Sequence, residues 1–149
     1  MILVPRRASD EEVLCIVREW IDVLAREDYA TVFDALGYGL AFDEPGDECI
    51  RRAIKSYRSP QLYPGIGEFT VTDWRAARGG CPEPKQELIW YQGNSTAMAG
   101  AIQFFLPLNG KWSDLCADFV LWESDDSDSH CVLGLEEIGS WSQTVREQP

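Results

Sequence analysis

The chain holds a single histidine, His130, and no two of its five cysteines stand in a Cys-x-x-Cys pair. A structural zinc site takes four nitrogen or sulfur ligands, and most serine or cysteine relays lean on a histidine base. Neither chemistry is present at a recognisable spacing. There is no G-x-S-x-G elbow. Gly79-Gly80 runs into Cys81-Pro82 rather than into a lysine-bearing helix, so there is no phosphate loop either. Bases are also scarce: 13 Lys and Arg face 25 Asp and Glu, a net charge of −12. A nucleic-acid binder needs a basic footprint, and an anionic membrane surface repels an acidic chain, so both are excluded as partners. No apolar run approaches the roughly 20 residues of a membrane span. The opening MILVPRR is too short in apolar residues for a signal peptide, which points to a cytoplasmic protein. The odd, scattered cysteines read as thiols in a reducing compartment, with Cys15, Cys116 and Cys131 as small core residues.

What is present is enough for a core. Apolar residues make up 45% of 149 residues, with six Trp, five Tyr and six Phe among them. The length fits one domain, 1–149, with 1–8 and 142–149 expected as loose termini. Ser9 and Glu12 form a capping-box pattern ahead of Val13, Ile16, Val17, Trp20, Ile21 and Leu24, which recur at helical spacing. Asp28 caps a second, shorter helix that Gly37 and Gly39 end. GLAFDEPGDE reads as a short strand and turn, and Asp47 opens a third helix stopped by Ser59-Pro60. From Phe69 the period changes to two. Strands are expected at 69–74, 88–91, 97–108, 115–123 and 131–137, with Asn109-Gly110 a hairpin turn. The fold class is therefore α+β, with N-terminal helices packed on one face of a curved antiparallel sheet of about five strands.

Charge placement is the strongest functional signal. From Ser113 onward nine acids meet one arginine, and Glu27 to Glu48 holds seven acids and no base. The densest run, WESDDSDSHC from Trp122 to Cys131, has Asp126 and Asp128 alternating as in a calcium loop. It lacks the central glycine and the flanking helices, so a solvated hairpin turn is expected and no metal. His130 and Cys131 are neighbours on a strand and point to opposite faces, which argues against zinc. No cofactor is expected. Two acids lie within apolar strands. Asp73, beside Arg75, suits a surface ion pair. Asp118 has Cys116, Val120 and Trp122 as same-face neighbours; as an acid on a strand it is expected to face solvent or pair with an arginine, and it would become a candidate base only if it pointed inward.

The order of elements, and the stretch EDYATVFDALGYGLAFDEPGDECIRRAIKSY in particular, resembles the nuclear-transport-factor-2-like (cystatin-like) superfamily. The second half, FFLPLNGKWSDLCADFVLWES with VLGLEEI, resembles a small bacterial domain family of immunity-protein-like size and acidity. Two readings follow. In the first, the chain is a non-catalytic acidic protein that docks a basic protein partner, an immunity protein occluding a toxin. Asp114, Asp118, Asp125, Asp126, Asp128, Glu136 and Glu137 would steer the encounter, and Trp112 and Trp122 would anchor it. The plainer alternative is a solubilising acidic face with the tryptophans in the core. In the second reading, which the first resemblance implies, a pocket lies between helices and sheet. Trp20, Tyr29, Phe42, Trp90 and Phe104 would line it, with Asp118 as an acid–base group acting on a small apolar molecule. Homodimerisation through the open sheet face is compatible with both.

Overall fold

The computed structural model describes residues 1–36, 46–92 and 97–141. Among these residues three helices lie between the first strand and the other four of a five-stranded antiparallel sheet: β1 (Leu3–Pro5), α1 (Asp10–Ala25), α2 (Tyr29–Asp34), α3 (Gly46–Lys55), β2 (Gln86–Trp90), β3 (Met98–Leu108), β4 (Lys111–Ser124) and β5 (Ser127–Ser140). The sheet runs in the order β1-β5-β4-β3-β2, a meander with the N-terminal strand added at the far edge.

Local chemistry accounts for the helix ends. Ser9 accepts from the Glu12 amide while the Glu12 carboxylate accepts from the Ser9 amide, closing the capping box. Asp28 caps α2 by accepting from the Thr31 amide and hydroxyl. The buried stripe of α1, Val13, Val17, Trp20, Ile21 and Leu24, lies on the sheet residues Ile102, Phe104, Leu106, Ala117, Phe119 and Leu121. Trp20 meets Phe119 edge-on at 5.2 Å, and its indole N–H donates to the Val32 carbonyl, tying α1 to α2 inside the core.

Two of the four register shifts in the sheet flank the centre of β4. Leu106 of β3 faces the three residues Ser113 to Leu115 of β4; buried Ser113 donates from its hydroxyl to the Leu106 carbonyl and accepts from the Leu115 amide. In β5, Asp118 pairs with Glu137 but Phe119 pairs with Leu135, so Glu136 is an extra, bulged residue. The bulge lets Leu135 and Ile138, three apart, both reach the core. Asn109 and Gly110 turn with φ of 52° and 82°, the mirror-image turn that an Asn-Gly pair permits.

Several expectations are corrected. The arm 1–8 is not loose throughout: Val4 is fully buried, and Leu3, Val4 and Pro5 pair with Val132, Cys131 and His130. Segment 69–74 is no strand. It crosses the end of β3 with one bridge, Val71 to Leu108, while Asn109 holds it through the Thr70 amide and the Glu68 carbonyl. Cys15 is exposed, whereas Cys116 and Cys131 are buried as expected; no disulfide links the five cysteines. Gly37, Gly39 and Phe42, the short strand expected there, and the tail 142–149 fall outside the described residues. Among the described residues, no helix is long and apolar enough to cross a membrane.

Removing residues 1–5 should lower unfolding free energy by at least the about 1.5–3 kcal/mol of burying one valine; a loose arm would cost nothing in the same denaturant titration. Ser113→Ala, which strands a buried carbonyl and a buried amide, should cost about 1–3 kcal/mol by that method.

Candidate functional site on the open face of the sheet

A pleated strand sends successive side chains to opposite faces. Because Leu115, Ala117, Phe119 and Leu121 face the helices, Cys116, Asp118, Val120 and Trp122 face away from them. The strand register then lines up rows across this open face. Glu87, Gln103, Asp118 and Glu137 stand opposite one another on β2, β3, β4 and β5, and the bulge adds Glu136 beside them. An apolar row, Leu3, Val132, Trp122 and Met98, runs nearer the β4–β5 hairpin. Between the two lies a row of small and apolar residues, Gly134, Val120, Ala101 and Ile89. The acid row lines a shallow groove of about 290 Å³ together with Ile89, Tyr91 and Ala101. Ile89 is 54% and Leu3 50% exposed at the two edges of this face, whereas Val120 and Val132 between them are buried.

Asp118 is half-buried at the centre of the row. Burial raises its pKa. The Cys116 thiol, 3.6 Å from its carboxylate, and Gln103 pull the pKa back down by hydrogen bonding, and Glu137 and Glu136 push it up again by repulsion. The Cys116 thiol is itself driven up, first by burial and then by Asp118. The row thus concentrates negative charge where water is partly excluded, so a cation brought to it gains more than at the bare surface.

The nine residues expected to bind a partner do not form one patch. Asp118, Glu136 and Glu137 are together, with Trp122 on the same face. Asp125 and Asp126 form the tip of the β4–β5 hairpin, with Asp128 next to them, all exposed. The stretch WESDDSDSHC is therefore a hairpin turn, its Asp126 amide held by the Ser124 hydroxyl. Asp114 lies at the other end of β4, roughly 30 Å of strand away at about 3.3 Å per residue. Its carboxylate accepts the Tyr57 hydroxyl at the wall of a second groove of about 760 Å³ between α3 and β4–β5. Burial raises the Tyr57 pKa, and the bond to Asp114 adds to it. Trp112 is half-buried against the core, 6.4 Å from Phe104. Trp141 stacks against Phe105 with Lys85 over its ring at 3.9 Å.

Of the residues expected to line a pocket between helices and sheet, Trp20 is 3% exposed and Phe104 fully buried in the core, Tyr29 and Trp90 are half-buried against it, and Phe42 lies outside the described residues; Asp118 lies on the opposite face of the sheet. Asp73 pairs at the surface as foreseen: its carboxylate accepts from the Arg75 backbone amide, which lowers its pKa most, and from the guanidinium, which also grips Asp22. Among the described residues no group of three or more His, Cys, Asp or Glu is arranged to hold a metal ion. Glu87, Gln103, Ile89 and Tyr91 were missed as site residues. The apolar run 88–91 was legible as a strand, but nothing in the sequence says that Glu87 stands in line with Gln103 and Asp118.

Asp118 gives a pH-dependent prediction. A raised folded pKa means that ionising Asp118 costs the fold stability. The cost is absent below the ordinary aspartate range, near 3.8, and complete once pH exceeds the raised value. Asp118→Asn should therefore raise the melting temperature by a few degrees at pH 7, and the gain should vanish by about pH 3 in a thermal-melt series. A gain that persists at pH 3 would assign it to packing instead. Compared with known proteins, the chain matches no family model, no curated protein and no solved structure.

Proposed function

We propose that this is a non-catalytic binding protein that docks a basic protein partner on the open face of its sheet. The single observation that carries the reading is the row Glu87, Gln103, Asp118 and Glu137, with Glu136, set beside exposed apolar side chains on a face that no described helix covers. Charge steers encounter and fixes register, while desolvated apolar and aromatic contacts supply affinity. Asp125, Asp126 and Asp128 at the hairpin tip extend the field beyond the footprint and act on association rate. Trp122, in the apolar row, is the anchor of this reading; Trp112 and Asp114 drop out of it. An immunity protein that occludes a toxin is the specific form this function takes in the proposal, since occlusion asks for charge and shape and no chemistry. The net charge of −12 supports it.

A second reading has its own observation. The groove between α3 and β4–β5 joins the Tyr57–Asp114 pair to Ser56, Ser59 and Gln61 over an apolar floor of Leu115 and Ile138, which suits a small polar molecule. Tyr57→Phe would abolish a ligand-induced thermal shift under this reading and leave protein docking intact.

Affinity capture from the native host lysate tests the first reading. At low salt the wild-type chain should retain one basic protein in near-stoichiometric amount, and at high salt lose it. The double variant Asp118→Lys with Glu137→Lys should bind at least tenfold more weakly. Reversal of Asp125, Asp126 and Asp128 should slow association several-fold with little change in dissociation. Equal capture by the double variant would overturn the assignment to this face.

A further inference from the structure

The open face ends at β2, and β2 ends the sheet. Among the described residues no strand pairs with its outer side. Two ladder bonds set the direction of every peptide group along it. The Phe105 amide donates to the Lys85 carbonyl at 2.8 Å, and the Tyr91 amide donates to the Ala99 carbonyl at 2.9 Å. In an antiparallel pair, residues alternate between turning both backbone groups toward the neighbour and turning both away. The register from Gln86 to Trp90 runs without a shift. Odd-numbered residues of β2 therefore bond to β3, and Gln86, Leu88 and Trp90 turn their amides and carbonyls outward. Natural edges are blunted by proline, lysine or bulges, and β2 has none of these between Gln86 and Trp90. Its open-face side chains, Glu87, Ile89 and Tyr91, line the acidic groove, and Ile89 and Tyr91 are 54% and 40% exposed.

We infer that β2 is a strand-addition edge that accepts an extended segment of the basic partner antiparallel to itself, so that the partner's main chain extends the antiparallel sheet and its side chains continue the rows of the open face. This rests on the docking function proposed above and names its mode of recognition. Residues directly opposite share a face. A segment with a lysine or arginine opposite Glu87 and an apolar residue opposite Ile89 therefore matches the exposed side chains, while its intervening residues lie on the helix side next to Leu88 and Trp90. In antiparallel addition those intervening residues are the ones whose backbone groups meet β2. A second copy of this chain is the less suitable occupant, because pairing would bring together two chains of net charge −12.

The probe is a capped peptide, Lys-Lys-Val-Ile-Val-Lys-Lys. It is compared with one form N-methylated at both valines and another N-methylated at the isoleucine. Amide shifts and hydrogen-exchange rates of the ¹⁵N-labelled full chain are the readout. The expected result is slowed exchange at Gln86, Leu88 and Trp90. The valine-methylated peptide should bind at least fivefold more weakly, while the isoleucine-methylated one, whose altered nitrogen faces solvent, should bind as the parent does. Equal binding of the valine-methylated peptide, with shifts confined to Asp118, Glu136 and Glu137, would overturn the edge while leaving docking on the face intact. No binding by any peptide would overturn the edge as well, and the lysate capture would still decide the function. Protection of the three amides by protein concentration alone, without peptide, would replace the basic segment with a second copy.

Discussion

The alternation of the β3–β4–β5 meander ties the core and the surface to each other. Ile102, Phe104, Phe119, Leu121, Leu133 and Leu135 are buried against α1, α2 and α3, and each valine- or leucine-sized side chain so buried stabilises the fold by about 1.5–3 kcal/mol. A shift of one residue in any of these strands would expose its whole set. Core packing thus fixes the register, and the register fixes which polar side chains stand in line on the other face. Asp118 lies at the centre of the acid row because Ala117 and Phe119 are locked into the core.

The bulge at Glu136 shows how little freedom remains. Leu135 and Ile138 are both core residues, and an unbroken strand would send one of them outward. The extra residue solves this packing problem and, as a by-product, sets Glu136 and Glu137 together beside Asp118. The resulting repulsion raises the Asp118 pKa on top of the rise from burial, so the fold disfavours the ionised carboxylate relative to the unfolded chain. Groups that weaken the isolated fold and gain from an incoming cation are expected at binding sites more than at structural ones.

Much of the fold was legible because it follows local rules. The capping box at Ser9 and Glu12, the Asp28 cap, the Asn109-Gly110 turn and the period-two runs of the last three strands all rest on residues close in sequence. What escaped depends on distant partners. The three residues of β1 carry no strand signal of their own and exist through pairing with Val132, Cys131 and His130. Segment 69–74 has the alternation of a strand, but the ladder of β3 gives it only one bridge. Trp112 shares its strand with Asp118, yet the irregular stretch at Ser113 to Leu115 separates them, and Trp112 turns to the core. The candidate site was half legible for the same reason. Its acids on β4 and β5 are close in sequence, whereas Glu87 joins them only through two further strand pairings.

The two acidic features of the second half differ in what they are able to do. Asp125, Asp126 and Asp128 are exposed at a hairpin tip, where each charge is fully hydrated and screened within about 8–10 Å at physiological salt. Such charges act on the path of approach and contribute little once contact is made. Asp118 is half-buried between strands, next to apolar surface, and a cation docked there sits in a medium less polarisable than water. The row also ends on β2, whose outward amides and carbonyls at Gln86, Leu88 and Trp90 supply main-chain bonds that charge alone does not. A partner met first by the hairpin, then registered on the acid row, and finally fixed by the sheet edge would use long-range, medium-range and contact interactions in that order. Each of the three is anchored in a different strand of one sheet.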